Sequence, residues 1–332
     1  MKTWLRASLA FAAATTVSLS LAGCTTPTAQ PTNAAFKPHV EVILGTESPA
    51  YAASLLAGAE AAAKEFGVIL DWHSDTLNGT AAQQIALINQ LVSKQPEGYI
   101  ITPIDDSVQA YVDLAASTHA DVVNLDSHVP TLDNVMANIF DDSNAGGIKL
   151  ADAIASAIGY QKGGSYQIGV GVVNPNDQVT LVRLSGFNYE LGAKYPGIKV
   201  VGTAVSNSQP GKAATQVSGL FAKNPKLAGF VAMDSFTATA AASLVEGSGL
   251  NVPLVAYDAD PDHVALLKKG VFKTLIAQNP AQKIRLAIQL IADHQLKGQP
   301  PQMRDQIFGN VILDMSSSKA DLKKYSYLAP GN

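Results

Sequence analysis

The sequence predicts an α/β protein made of two successive, doubly wound parallel-sheet units. Three observations carry that expectation. Short β-branched runs alternate with longer Ala-rich helical patterns from Val40 onward, and this rhythm restarts after Asn144. Strict βα alternation implies a parallel sheet covered by helices on both faces. The 332 residues, 47% apolar and only 15% charged, are enough for two ordinary hydrophobic cores.

The elements follow in order. Val40 to Gly45 reads as a strand, Ala50 to Phe66 as a helix stopped by Gly67, and Val68 to Trp72 as a second strand. Thr80 to Lys94 places Ile85, Ile88, Leu91 and Val92 at helical spacing. Tyr99–Ile101 and Val122–Leu125 are further strands, separated by a helix from Val108 to Thr118. The second unit opens with a helix to about Gly159, a strand Tyr166–Val170, a helix through Arg183 and Tyr189, and a strand Lys199–Val201. Gly211–Ala222 is then helical, Gly229–Met233 a strand, Ser235–Glu246 a helix and Val252–Tyr257 a strand. Thr274–Ala277 (strand), Ala281–Leu296 (helix) and an extended piece near Ile307–Leu313 close the chain.

Ahead of this body, Lys2 and Arg6 precede an apolar run from Ala7 to Leu21 that ends in Leu21-Ala22-Gly23-Cys24. A charged start, a short apolar stretch and small residues at its end describe an export signal over residues 1–23, too short for a membrane span. Cys24 is the only cysteine, and the tetrapeptide resembles the lipobox of bacterial lipoproteins. The resemblance implies acylation of Cys24 and anchoring at the outer face of the cell membrane or in the periplasm. Residues 24–37, polar and punctuated by Pro27 and Pro31, read as a tether.

Composition excludes several functions. A net charge of −4 does not suit nucleic acid or anionic lipid. One cysteine excludes zinc–thiolate sites, and the six His show no HExxH or HxH spacing, so no metal and no cofactor is expected. There is no GxSxG and no phosphate loop, so the chain is not expected to be an enzyme.

In doubly wound sheets ligands bind beyond the carboxyl ends of the strands. Those ends carry Glu47, Ser48 and Tyr51; Thr102; Asp126, Ser127 and His128; Asp234, Ser235 and Phe236; Tyr257 and Asp258; and Gln278. Arg183 lies in the helix after Asn174–Gln178. By residue type alone Ser48, Ser127 and Ser235 read as helix caps. Asp126, Asp258 and Gln278 follow directly on apolar strand cores, which points to a binding role.

Seven segments in collinear order, from Gly45-Thr-Glu-Ser-Pro-Ala-Tyr51 through Ile101-Thr-Pro103, Val123-Asn-Leu-Asp126, Asp141-Asp-Ser-Asn-Ala-Gly-Gly147, Arg183-Leu-Ser-Gly-Phe187 and Val255-Ala-Tyr-Asp258 to Leu275-Ile-Ala-Gln278, resemble the type I periplasmic sugar-binding proteins of the ribose-binding class. The resemblance implies two lobes joined by a three-strand hinge, with residues 38–141 and 279–307 in one lobe and 142–278 and 308–332 in the other. It also implies a monomer that binds a sugar or similar polyol by hinge closure and delivers it to an ABC permease. Ser48, Tyr51, Thr102, Asp126, Ser127, Arg183, Asp234, Phe236, Tyr257, Asp258 and Gln278 are then the ligand-binding candidates.

A carboxylate accepts from adjacent hydroxyls, a guanidinium donates through a planar fork, and Tyr51, Phe236 and Tyr257 offer faces for a sugar ring. Core packing is the competing role for those three aromatics. Departures from the class pattern are Ser48 and Thr102 in place of asparagines, Ser127 in place of an arginine, and Asp234-Ser235 in place of Asn-Asp. Glu47 or His128 could replace lost hydrogen-bonding groups, or be solvated loop residues. Two alternatives remain: a sensory module presenting its closed form to a chemoreceptor or sensor kinase, and an exported glycosidase using Asp126 and Asp258 as its carboxylate pair.

Overall fold

The alternation read from the sequence becomes two six-stranded sheets. The computed structural model describes residues 36–45, 47–74, 80–127 and 129–328. Cys24 and His128, and the residues up to 35 expected to form the export signal and most of the tether, lie outside the described residues.

The first sheet contains β1 (His39–Ile43), β2 (Ile69–His73), β3 (Gly98–Ile101), β4 (Asp121–Leu125), β5 (Ala137–Asp141) and, from much later in the chain, β11 (Asp305–Phe308). Its order is β11-β5-β4-β3-β1-β2, and every pair is parallel. Helices α1 (Pro49–Phe66) and α9 (Pro280–Lys297) pack together over one face. The opposite face is covered by α2 (Ala81–Val92) and α3 (Gln109–Ser117). Strands β3 and β4 are buried at every position, so neither shows the alternation of a half-exposed strand, and the two polar residues of β4, Asp121 and Asn124, are buried with hydrogen-bond partners.

The second sheet repeats the plan with β6 (Tyr166–Val172), β7 (Ile198–Val205), β8 (Gly229–Ala232), β9 (Leu254–Tyr257), β10 (Phe272–Ala277) and β12 (Val311–Asp314). The order is β12-β10-β9-β8-β6-β7, parallel except for the β10–β12 pair. Helices α4 (Ser143–Ala157) and α5 (Gln178–Lys194) cover one face. On the other lie α6 (Pro210–Lys223) and α7 (Ser235–Ser248), with α8 (Pro261–Lys268) beside β10 and α10 (Lys319–Tyr325) beside β12.

Three crossovers join the lobes: β5 to α4 at Asp141–Ser143, β10 to α9 at Ala277–Pro280, and β11 to β12 at Phe308–Val311. The second is sharply punctuated. Asn279 caps α9 by accepting from the Gln282 N–H, Pro280 occupies the first turn, where its missing donor costs nothing, and Gly298 ends the helix in the left-handed region.

Two differences from the sequence expectation concern this hinge. The extended piece near 307–313 is two strands in different sheets, broken at Gly309–Asn310. Strand β5, not expected from the sequence, is only five residues long, and its hydrophobic signal is interrupted by two polar residues, Asn138 and Asp141, both buried in the structure. After α10 the Tyr327 N–H donates to Ala259 O in the second lobe (2.9 Å), and the next residue reaches the first lobe, the Leu328 N–H donating to Ser54 Oγ of α1 (2.7 Å).

Candidate functional site

Between the carboxyl ends of the two sheets lies a cleft of ≈ 580 Å³. Of the predicted contacts, Ser48, Tyr51, Thr102, Asp126 and Ser127 line it from the first lobe, Arg183, Asp234, Phe236 and Asp258 from the second, and Gln278 from the hinge. Glu47 lines it as well. Tyr257 does not. Its side chain is fully buried beneath the cleft floor, its hydroxyl donates to Asn310 Oδ1 (2.6 Å), and its ring face is covered by the Arg183 guanidinium 3.6 Å above the centroid. The aromatic expected to cover a ligand instead supports the arginine.

The two aspartates that end β4 and β9 occupy matching positions. Asp126 has φ +63° and Asp258 φ +72°, the left-handed region that most residues avoid and aspartate tolerates. Each N–H still donates to the neighbouring strand, Asp126 to Ile139 O (2.8 Å) and Asp258 to Ile276 O (2.9 Å). Backbone strain of this kind persists where surrounding structure over-determines it, and it gathers at functional sites.

The carboxylates are held from behind. Tyr51 Oη donates to Asp126 Oδ2 (2.6 Å), and Lys283 Nζ, from α9, donates to Asp126 Oδ1. Asp258 Oδ1 accepts from Gln278 Nε2 (2.6 Å) and Tyr327 Oη (3.0 Å), while its Oδ2 accepts from Ser235 Oγ (3.2 Å). Arg183 donates through one terminal nitrogen to Met233 O (2.8 Å), and its Nε has no partner within the protein. Thr102 Oγ1, buried in the cleft wall, is likewise unpartnered.

Several predicted residues have a second role. Ser48 caps α1, accepting from the Tyr51 N–H (3.2 Å), and reaches across the lobes to Asp260 Oδ1 (3.4 Å). Asp234 caps α7, its Oδ1 accepting from the Phe236 and Thr237 N–H groups at 3.0 Å each. Ser127 lines the first-lobe wall beside Asp126, and Phe236 lines the second-lobe wall. The cap reading and the cleft reading are therefore compatible for Ser48.

Electrostatics is dominated by acids. Burial, reinforced by Asp126, pushes Glu47 from 4.5 up to about 8, so at neutral pH it carries a proton and can donate. Burial and the nearby Asp258 raise Asp260 to about 7. Burial also raises Asp234 and Asp141. For Lys283 burial favours the neutral amine, but Asp126 and Asp141 outweigh it and its pKa is raised.

Sequence reasoning missed Lys283, Tyr327, Asn310 and the loop residues Asp105, Asn174, Asp177 and Asn207–Gln209 that complete the lining. One signal for Lys283 was present. It sits on the apolar stripe of α9 formed by Ile284, Ala287, Ile288 and Ile291, where a lysine is out of place unless paired.

Among the described residues, one group of metal-ligating side chains comes together: His39, Glu41 and Asp71 on β1 and β2, away from the cleft. An ammonium already sits among them, Lys94 Nζ lying 3.2 Å from Glu41 Oε1 and 3.6 Å from Asp71 Oδ2.

A polar cleft between two doubly wound lobes joined at three crossovers defines a two-lobed binding protein of the type I periplasmic fold. Residues 40–300 match the periplasmic binding protein domain, and the chain belongs to that family. The ribose import binding protein RbsB of Bacillus subtilis is 25% identical over 280 residues, covering 82% of this chain and 87% of that protein. The D-allose-binding periplasmic protein of Escherichia coli is 25% identical over 267 residues, covering 77% and 84%. An ABC-transporter solute-binding protein from Agrobacterium vitis, solved with α-D-tagatopyranose, superposes with a TM-score of 0.80 at 26% identity, covering 88% of this chain and all of that one. Among the described residues no helix is long and apolar enough to cross a membrane.

Proposed function

We propose that this protein is the exported, lipid-anchored substrate-binding component of an ABC importer, and that it closes its lobes on a neutral sugar or sugar-like polyol. The observation that carries the reading is the pairing of Asp126 and Asp258. Each follows the corresponding strand of its lobe and lines the cleft, and Arg183 and Gln278 line the same cleft. Two fixed acceptors facing one fork of donors suit a ligand with hydroxyls on several sides. The relatives, named for ribose and D-allose or solved with tagatose, support the same class.

Charge narrows it. Asp105, Asp126, Asp177, Asp234 and Asp258 line the cleft besides the protonated Glu47, and among the described lining residues Arg183 is the one cation. Sugar phosphates and uronates meet repulsion there, so the ligand is uncharged. In this reading the lobes close on the ligand, whose contacts with both of them favour the closed state. The lobes are assigned as residues 38–141 with 279–307 and 142–278 with 308–332, anchored through Cys24. The closed monomer is what the permease reads.

The test is a thermal-shift screen of protein stripped of carried-over ligand by unfolding and refolding. D-ribose, D-allose, D-tagatose and D-arabinose are compared with sugar phosphates, uronates, nucleosides and amino acids. A ligand at 100 times its Kd adds about 2.7 kcal/mol, or roughly 5–10 °C for a chain of this size. A selective shift with a neutral sugar, lost in Asp126→Ala and Arg183→Ala, is the expected result. A shift with nucleosides or amino acids alone would keep the fold and refute the sugar reading.

A further inference from the structure

We propose that Lys283, which no ligand can touch, is the positioning residue of the cleft: it holds Asp126 in its binding orientation and ties both inner crossovers to that carboxylate. The inference rests on the sugar-binding reading above for its affinity test, and on the ligand-free protein for a second one.

The geometry is unusual for a lysine. Its side chain is fully enclosed, whereas Asp126 keeps 14% of its side-chain surface toward the cleft. Lys283 Nζ has four acceptors for its three protons: Asp126 Oδ1, Asp141 Oδ2, Tyr51 Oη (2.6 Å) and Gln278 Oε1 (3.2 Å). Tyr51 relays the contact, accepting from the ammonium and donating to Asp126 Oδ2. Both oxygens of Asp126 are thus fixed from the protein side. A carboxylate has about four lone-pair sites, so two remain for ligand hydroxyls in directions set by Lys283 and Tyr51.

The residue after Asp126 is the uncharged Ser127, which supplies no cation. The other cation of the cleft, Arg183, is engaged with Met233 O and the Tyr257 ring in the second lobe. Lys283 also reaches the hinge. Asp141 ends β5 at the first crossover, and Gln278 begins the second and passes the connection on to Asp258 through its amide. One ammonium therefore fixes the first-lobe acceptor and, through Gln278, is linked to its second-lobe counterpart. A buried charge with these partners costs much to desolvate and adds little net stability. Its retention on an otherwise apolar stripe is explained by the orientation it imposes.

The experiment compares wild type, Lys283→Met and Ile288→Ala by calorimetric titration with whichever of D-ribose, D-allose, D-tagatose and D-arabinose gives the largest thermal shift. Ile288 lies on the same stripe, fully buried, and makes no polar contact, so its truncation reports what destabilising α9 does by itself. Lys283→Met is expected to weaken binding roughly 10- to 150-fold, the loss of one or two charge-assisted interactions. Ile288→Ala is expected to lower the melting temperature and keep affinity within about threefold, as befits a residue remote from polar recognition. Affinity within threefold of wild type in Lys283→Met, or an equal loss in both variants, overturns the proposal. Should Lys283→Met not fold, Lys283→Gln keeps one donor to the carboxylate and carries the same comparison.

If wild type binds no sugar of the panel, the functional reading has failed separately. Lys283 is then judged in the ligand-free protein by its side-chain ammonium resonance in 15N-lysine-labelled samples. A slowly exchanging ammonium signal, assigned by its loss in Lys283→Met or Lys283→Gln and moved by Asp126→Ala, supports the arrangement. Absence of a protected signal refutes it.

Discussion

Substituting Gly147 by alanine tests how the second lobe places Arg183. Gly147 lies on α4, and a Cβ built there would stand 2.0 Å from the carbonyl oxygen of Arg183 and 2.8 Å from the Phe187 nitrogen on α5. The contact is reciprocal, since a Cβ on Gly186 of α5 would be 2.1 Å from Asn144 O of α4. The helices meet backbone to backbone, and neither obstacle is a side chain that can swing away. Because a Cβ does not approach another heavy atom closer than about 3 Å, α5 must retreat by about 1 Å or more. That movement takes the guanidinium off Met233 O, now at 2.8 Å, and off the Tyr257 ring, now at 3.6 Å.

Overpacking of this kind costs about 1–3 kcal/mol, partly offset by the better helix propensity of alanine, up to about 1 kcal/mol. At ~2–4 °C per kcal/mol for a large domain, Gly147→Ala should melt several degrees below wild type. It should also lose at least roughly tenfold in ligand affinity, as expected for a displaced charge-assisted donor. Gly192→Ala is the control. It is an exposed position on the same α5 where a Cβ would meet nothing within 4 Å, so the change should be neutral or stabilising by up to about 1 kcal/mol. Differential scanning calorimetry and titration of both proteins decide the matter. A Gly147→Ala protein as stable as Gly192→Ala, with undiminished affinity, would show that the close approach of α4 and α5 does not position Arg183.

Two further predictions concern pH. Glu47 holds its proton up to about 8 in the folded protein against 4.5 ordinarily, so folding binds a proton across that window and stability falls as pH rises through it. Glu47→Gln should flatten that part of the profile in denaturant titrations from pH 5 to 9, and an unchanged slope would refute the assignment. His263 behaves oppositely at the acid side. Burial lowers it from 6.5 to about 4, so its uncharged form stabilises the fold above pH 6.5 and that contribution is lost as pH falls toward 4. His263→Phe should remove that acid slope, at the expense of the Thr239 hydroxyl now paired with His263 Nε2 (2.8 Å). A variant with the same acid midpoint as wild type would count against it.

What the sequence determined by itself was whatever is encoded locally. The βα rhythm, the cap at Ser48 and the glycine stop at Gly67 are properties of short windows, and the fold class follows from their order. Strand ends are also local features, which is why all but one of the predicted contacts reached the cleft wall. Tyr257 was the exception because a residue at a strand end can face the cleft or the layer beneath it, and only the packing of Arg183 and Asn310 against it chose the latter.

Tertiary structure alone decided the rest. Strand β5 buries Asn138 and Asp141 among its five residues, which breaks the apolar run that marks a buried strand in sequence. Residues 307–313 divide between two sheets because strands far away in the chain present the free edges. The support behind the cleft joins Tyr51, Asp126, Asp141, Gln278, Lys283 and Tyr327, residues up to 276 positions apart between Tyr51 and Tyr327, brought together by the hinge and the returning C-terminal segment. Charges pair by distance in space, and the chain specifies that distance only once both lobes have folded.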